Sequence, residues 1–93
     1  MKVYVVESDF GVYEDYRRII NGVYARPEVA EIERQKIQDY YQEILDKGDP
    51  SEKMLDWENM PDEEYERLNE MLENYETAID YNTTTVTEYD VID

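Results

Sequence analysis

Lys2-Val3-Tyr4-Val5-Val6-Glu7 is the stretch on which the architecture turns. β-Branched and aromatic residues fill it, with Val3 and Val5 facing one way and Tyr4 and Val6 the other. A strand that is apolar on both faces belongs at the centre of a sheet. Ser8-Asp9-Phe10-Gly11 reads as the turn that follows. A second strand is expected over Tyr16–Tyr24, carrying Ile19, Ile20, Val23 and Tyr24, with Asn21-Gly22 as a bulge inside it. A tight hairpin at Asn21-Gly22 is the alternative, and it leaves Val23-Tyr24-Ala25 as a very short partner strand before Pro27.

Pro27 suits the first turn of a helix, where Glu28 and Glu31 lie near the positive end of the dipole. Val29, Ala30, Ile37, Tyr40, Tyr41, Ile44 and Leu45 then share one face, and Lys47-Gly48 supplies a basic last turn and a terminating glycine. Glu33 falls inside the apolar face, where pairing with Arg17 or Arg18 is expected to satisfy it. Residues 49–60 read as a polar linker containing Met54, Leu55 and Trp57. Pro61 opens a second helix, whose Tyr65, Leu68, Leu72, Tyr75 and Ile79 alternate three and four residues apart. Asn82 and Thr83–Thr85 are expected to end it, and Val86–Ile92 alternates as a last strand.

The order is β-β-α-α-β in a single acidic domain over residues 1–93. The simplest α+β arrangement that buries every stripe is a small three-stranded sheet covered on one face by two amphipathic helices. With 41% hydrophobic and 13% aromatic residues and only three Gly and three Pro, the chain reads as folded. Glu7 and Asp9 interrupt the opening apolar run before it could act as a secretion signal. No run approaches the roughly 20 apolar residues of a membrane span, so a cytoplasmic setting is expected.

Lys+Arg number 9 against Asp+Glu 25, a formal charge of −16. That balance disfavours direct nucleic-acid binding, whose affinity comes mainly from cations meeting phosphates. Without Cys or His there is no thiol nucleophile, disulfide, Cys/His zinc site or imidazole acid–base catalyst. Carboxylate pairs arise by chance among 25 acids, and the chain offers little room for a substrate cleft, so no enzyme activity is expected. Asp46, Asp49 and Glu52 around Gly48 match the calcium-loop spacing poorly, so neither a dedicated metal site nor a cofactor is expected.

Residues 1–24 hold three basic and four acidic residues, 25–47 four and six, and 48–93 two and fifteen. On the second helix, Asp62, Glu66, Glu70, Glu73, Glu76 and Asp80 fall within an arc of about 120°, with Glu63 just beside it. Arg67 is the only basic residue there, so stabilising Glu-to-Lys pairs are nearly absent. One carboxylate per ~4 Å of helix axis is comparable to the ~3.4 Å charge spacing along one DNA strand. The plain reading is a solvated face; the sharper one is a surface that imitates phosphates and occupies the basic groove of a nucleic-acid-binding protein. The negative Asp49-to-Glu58 linker, with Glu88, Asp90 and Asp93 on the last strand, adds to the charge.

Of the tyrosines, Tyr4, Tyr24, Tyr40, Tyr41, Tyr65 and Tyr75 fit apolar faces, whereas Tyr13, Tyr16, Tyr81 and Tyr89 sit beside acids at turns or edges. Trp57, between Asp56 and Glu58, either caps the core or projects as an anchor. Trp57 and Tyr81 are the candidate anchors flanking the acidic row.

Met1-Lys2-Val3-Tyr4-Val5-Val6, Gly22-Val23-Tyr24-Ala25 leading into a charged helix, and Thr87-Glu88-Tyr89-Asp90-Val91 resemble small uncharacterised bacteriophage proteins of ββα(α)β plan. In charge character the chain is similar to phage DNA mimics, the acidic anti-restriction and anti-CRISPR inhibitors. The resemblance implies a non-enzymatic phage inhibitor in the bacterial host's cytoplasm. Its partner would be a basic host protein, a nucleic-acid-binding nuclease or defence complex, with no nucleic acid or membrane bound directly. The alternative is a structural or regulatory adaptor that forms a homodimer or heteromer through an apolar edge or helix face.

Overall fold

The computed structural model describes residues 1–92, so Asp93 lies outside the described residues. Strands β1 (Lys2–Phe10), β2 (Arg17–Tyr24) and β3 (Tyr81–Asp90) form an antiparallel sheet in the order β2-β1-β3. Helices α1 (Pro27–Lys47) and α2 (Asp62–Asp80) lie between β2 and β3 in the chain. The expected α+β plan holds, with the most apolar strand at the centre.

β1 runs three residues beyond its apolar opening. Ser8-Asp9-Phe10 is strand, not turn, and the chain reverses only at Gly11. Polar Ser8 misleads because its burial is satisfied across the sheet. Its hydroxyl donates to Asn21 Oδ1 at 2.6 Å and lies 2.9 Å from Thr84 Oγ1, which in turn lies 2.5 Å from Tyr81 Oη. With the Ser8 proton on Asn21, Thr84 donates to Ser8 and Tyr81 to Thr84, so all three hydroxyls donate once and those of Ser8 and Thr84 also accept once. This relay joins all three strands and fixes their register.

Asn21 reaches the relay because the pairing steps from Val6↔Gly22 to Glu7↔Ile20, leaving Asn21 as the extra residue of the expected bulge. The tight-hairpin alternative is therefore excluded.

α1 begins at Pro27 and stops at Gly48, whose φ of 81° suits glycine. It covers the sheet face bearing Val6, Ser8 and Phe10. Phe10, 2% exposed, meets Tyr41 and Tyr81 edge-on at 5.7 Å, while Tyr41 stacks on Tyr81 at 4.4 Å. Glu33 pairs with Lys36 one turn along α1, not with Arg17 or Arg18. Those arginines are held by the sheet: Arg17 lies over the Phe10 ring, and Arg18 bridges Glu7 and Asp9 on the uncovered face.

α2 packs on α1 and on a 3-10 turn at Pro50–Met54 rather than along the sheet. It ends at Asp80 and β3 starts at Tyr81 with no loop, five residues before the strand expected from Val86. β-Branched Thr83, Thr84 and Thr85 extend the strand so that it pairs with the whole of β1. The longest dimension, 60 Å, is about a ten-residue strand and a nineteen-residue helix laid end to end. The radius of gyration is 17.3 Å, against about 12 Å for a compact chain of this length. The second helix therefore carries the helical layer past the end of the sheet as a projecting arm.

Candidate protein-binding surface

α2 forms for ordinary reasons. Pro61 precedes it, Asp62, Glu63 and Glu64 occupy its first turn at the positive dipole end, and Leu68 and Ala78 are buried. Its last turn is less ordinary. Asp80 stands at the negative pole with no basic residue in that turn, a placement offset from outside by Arg17 at 3.9 Å. The last carbonyl is also used, because Gly11 N–H donates to Asp80 O at 2.8 Å and Asn82 Nδ2 donates to Gly11 O at 2.8 Å. The root of the arm is thus fastened to the β1–β2 connection.

Asp62, Glu66, Glu70, Glu73, Glu76 and Asp80 are all exposed. They keep the common arc read from the sequence, since 62–80 is one unbroken helix. Among the described residues, only Asp80 of these six has an ion pair. Lys2, Arg17, Arg18, Arg26, Arg34, Lys36 and Lys47 are engaged with carboxylates, and every one of those pairs except Arg17–Asp80 and Lys2–Glu88 lies within residues 1–47. Most of the neutralising cations are spent on the sheet and α1, and Arg67, the one basic residue of α2, is in no ion pair among the described residues, leaving the ridge with like charges three and four residues apart. Each such contact opposes the helix by a few tenths of a kcal/mol.

The two anticipated anchors diverge. Trp57 lies in a 3-10 turn (Trp57–Asn59) just before α2 and is 59% exposed, so it projects; Leu55 beside it is 82% exposed. The stretch read as a plain linker is two short 3-10 turns, tied by Asn59 Nδ2 donating to Asp56 Oδ1 at 2.8 Å. Tyr81, by contrast, is half-buried in the Phe10–Tyr41 stack with its hydroxyl on Thr84. It is a core residue where the arm joins the sheet, and it is not presented to a partner.

Another of the tyrosines read as lying beside acids at turns or edges is fully presented to solvent. Tyr13, in the turn after Gly11, is 95% exposed and has a φ of 50°. A bulky side chain in left-handed backbone costs about 1 kcal/mol or more and persists only where neighbours impose it. The turn folds back tightly on Gly11, whose φ is 77°: a Cβ there would collide with Asp15 O, so only glycine fits beside the Tyr13 turn. The acidic Tyr13-Glu14-Asp15 cluster was visible in the sequence, but its backbone strain was not.

Compared with protein-family models, curated proteins and solved structures, the chain has no match. Among the described residues, no group of acidic side chains is placed to hold a metal ion, and no helix is long and apolar enough to cross a membrane.

Proposed function

We propose that the chain is a non-enzymatic phage inhibitor of a host nucleic-acid-handling defence protein, acting in the bacterial cytoplasm by offering carboxylates in place of phosphates. One observation carries the reading. Glu66, Glu70, Glu73 and Glu76 stand exposed and without ion pairs on a projecting helix, although seven of the nine Lys and Arg are paired with other carboxylates. A helix selected for stability alone would intersperse lysines. The partner's surface is basic, of the kind that binds nucleic acid, and Trp57 adds an apolar anchor beside the charge. Association of this type is steered, fast and salt-sensitive. The likeness of the strands to phage proteins supports the setting.

Affinity capture from bacterial lysate at low salt, eluted with a salt gradient, isolates such a partner. The complex is expected to weaken steeply with salt and to be displaced by duplex DNA. Glu66→Lys, Glu70→Lys and Glu73→Lys together are expected to abolish inhibition while leaving the fold intact; retained inhibition rejects the electrostatic mechanism.

A second reading, an adaptor that dimerises, has its own observation. The sheet face away from α1 is uncovered, with Ile20, Val23 and Tyr89 exposed. Sedimentation separates the two: a tight dimer indifferent to salt favours the adaptor.

A further inference from the structure

We propose that the acidic helix is flanked by two arginine-receiving turns, Tyr13-Glu14-Asp15 at its C-terminal end and Asp56-Trp57-Glu58 at its N-terminal end. The basic surface it takes is then rich in arginine rather than lysine. The inference rests on the basic-partner reading above and gives that partner's chemistry.

Both turns combine an exposed ring with adjacent carboxylates. Tyr13 is 95% and Trp57 59% exposed, and the backbone of each turn is closed by hydrogen bonds, Tyr16 N–H donating to Tyr13 O at 3.1 Å in the first. The Tyr13 turn folds back against Gly11, whose N–H donates to the last carbonyl of α2. The Trp57 turn is closed by Met60 N–H donating to Trp57 O at 3.3 Å and leads into α2 through Pro61. Some 27 Å of helix separates the two ends, with the unpaired carboxylates between them.

A guanidinium is planar and weakly hydrated, so it can stack on a ring while its N–H fork reaches a carboxylate. A lysine ammonium is compact and strongly hydrated, and gains less from the ring. The protein already uses this combination internally. The Arg17 guanidinium lies 4.9 Å over the Phe10 ring with Asp80 at 3.9 Å. Tyr13 and Trp57 likewise stand next to exposed carboxylates, Glu14 and Asp15 in one turn and Asp56 and Glu58 in the other.

The test uses the full chain and two charge-matched probes, dodeca-arginine and dodeca-lysine, each about 40 Å long when extended and able to span both turns. Affinities come from calorimetry, and the fluorescence of Trp57, the single tryptophan, reports its own site. The arginine peptide is expected to bind about tenfold tighter than the lysine peptide and to shift Trp57 emission. Carboxylates alone favour arginine somewhat, so the variants decide. Asparagine tolerates left-handed backbone, so Tyr13→Asn removes the ring without harming the turn.

Tyr13→Asn and Trp57→Leu are each expected to lower arginine-peptide affinity by about two- to fivefold and leave lysine-peptide affinity unchanged, while Tyr13→Phe retains the preference. An arginine preference absent in the wild type, or unchanged in the Tyr13→Asn/Trp57→Leu double variant, overturns the inference and leaves the ridge reading standing. Should neither peptide bind, or should Glu66→Lys/Glu70→Lys/Glu73→Lys fail to weaken both, the reading beneath it falls instead.

Discussion

The two halves of the molecule handle charge in opposite ways. In the sheet and α1, acids meet bases at close range: Arg18 holds Glu7 and Asp9, Arg34 holds Glu31, Lys36 holds Glu33 and Lys47 holds Glu43. Glu7 shows how far this goes, for its side chain is only 7% exposed and is paired with Arg18 at 3.1 Å. In the arm, the carboxylates are out in solvent and face one another. The hydrophobic packing differs as well. Val6, Phe10 and Ala30 form a continuous core under α1, whereas α2 buries Leu68 and Ala78 and leaves Ile79 and Tyr65 exposed. The first half is built to be stable, and the second uses that stability to hold a repulsive surface in place. A charge is informative about function where nothing in the fold requires it.

The sharpest way to break this division is to remove the support. Phe10→Ala deletes the ring that joins Tyr41, Tyr81 and Arg17, and is expected to cost about 3–5 kcal/mol in chemical denaturation. That is a large part of the total stability of a small domain. If the loss were confined to the arm, with the sheet intact by amide exchange, the two halves would not share the core described. Ser8→Ala comes next. It removes the acceptor of the buried Thr84 hydroxyl and the donor to the exposed Asn21, for an expected loss of about 1–3 kcal/mol. Amide exchange at the bulge should rise most.

Smaller and opposite in sign is the effect of Glu66→Lys/Glu70→Lys/Glu73→Lys. Three repulsive contacts, Asp62–Glu66, Glu63–Glu66 and Glu73–Glu76, become attractive while Arg67–Glu70 turns repulsive, and thermal stability should rise by about 1 kcal/mol at low ionic strength. The gain should vanish near 1 M salt, where the Debye length is about 3 Å. Destabilisation at low salt would mean that the row contributes to the fold after all.

The smallest effect is in acid. Arg34 lowers the Glu31 carboxyl below its ordinary value of 4.5, and the backbone N–H of Glu28, followed by Arg26, lowers Glu28 likewise. A depressed pKa adds stability above the unfolded value and loses it as pH falls through the folded one. The N-terminal turns of α1 should therefore begin to fray only below about pH 4.5, and Glu31→Gln should remove part of that dependence. A titration of α1 helicity by backbone chemical shifts checks the sign.

Much of the fold was legible because its local signals agree with the packing. Val3 to Val6 placed β1 at the centre, Pro27 and Pro61 marked the helix starts, Gly48 marked a stop, and Asn21-Gly22 marked the bulge. The misreadings share a cause. Ser8 looked like turn because its burial depends on Asn21 and Thr84, which are distant in sequence. The passage from α2 to β3 carries no Gly or Pro, so the Asp80/Tyr81 junction was hidden and Tyr81 was mistaken for an exposed anchor. The acidic arc on α2 followed from helical spacing alone. That it would project, and that Tyr13 would stand strained at its root, depends on tertiary contacts of Gly11 and Asp80.

The most direct measurement is the salt dependence of the complex between the chain and its proposed basic partner, taken for the wild type and for Glu66→Lys/Glu70→Lys/Glu73→Lys. Log K is expected to fall steeply with log salt in the wild type, the complex to yield to duplex DNA, and the triple variant to bind at least a hundredfold more weakly. Equal affinity of the two proteins with a flat salt dependence would contradict it.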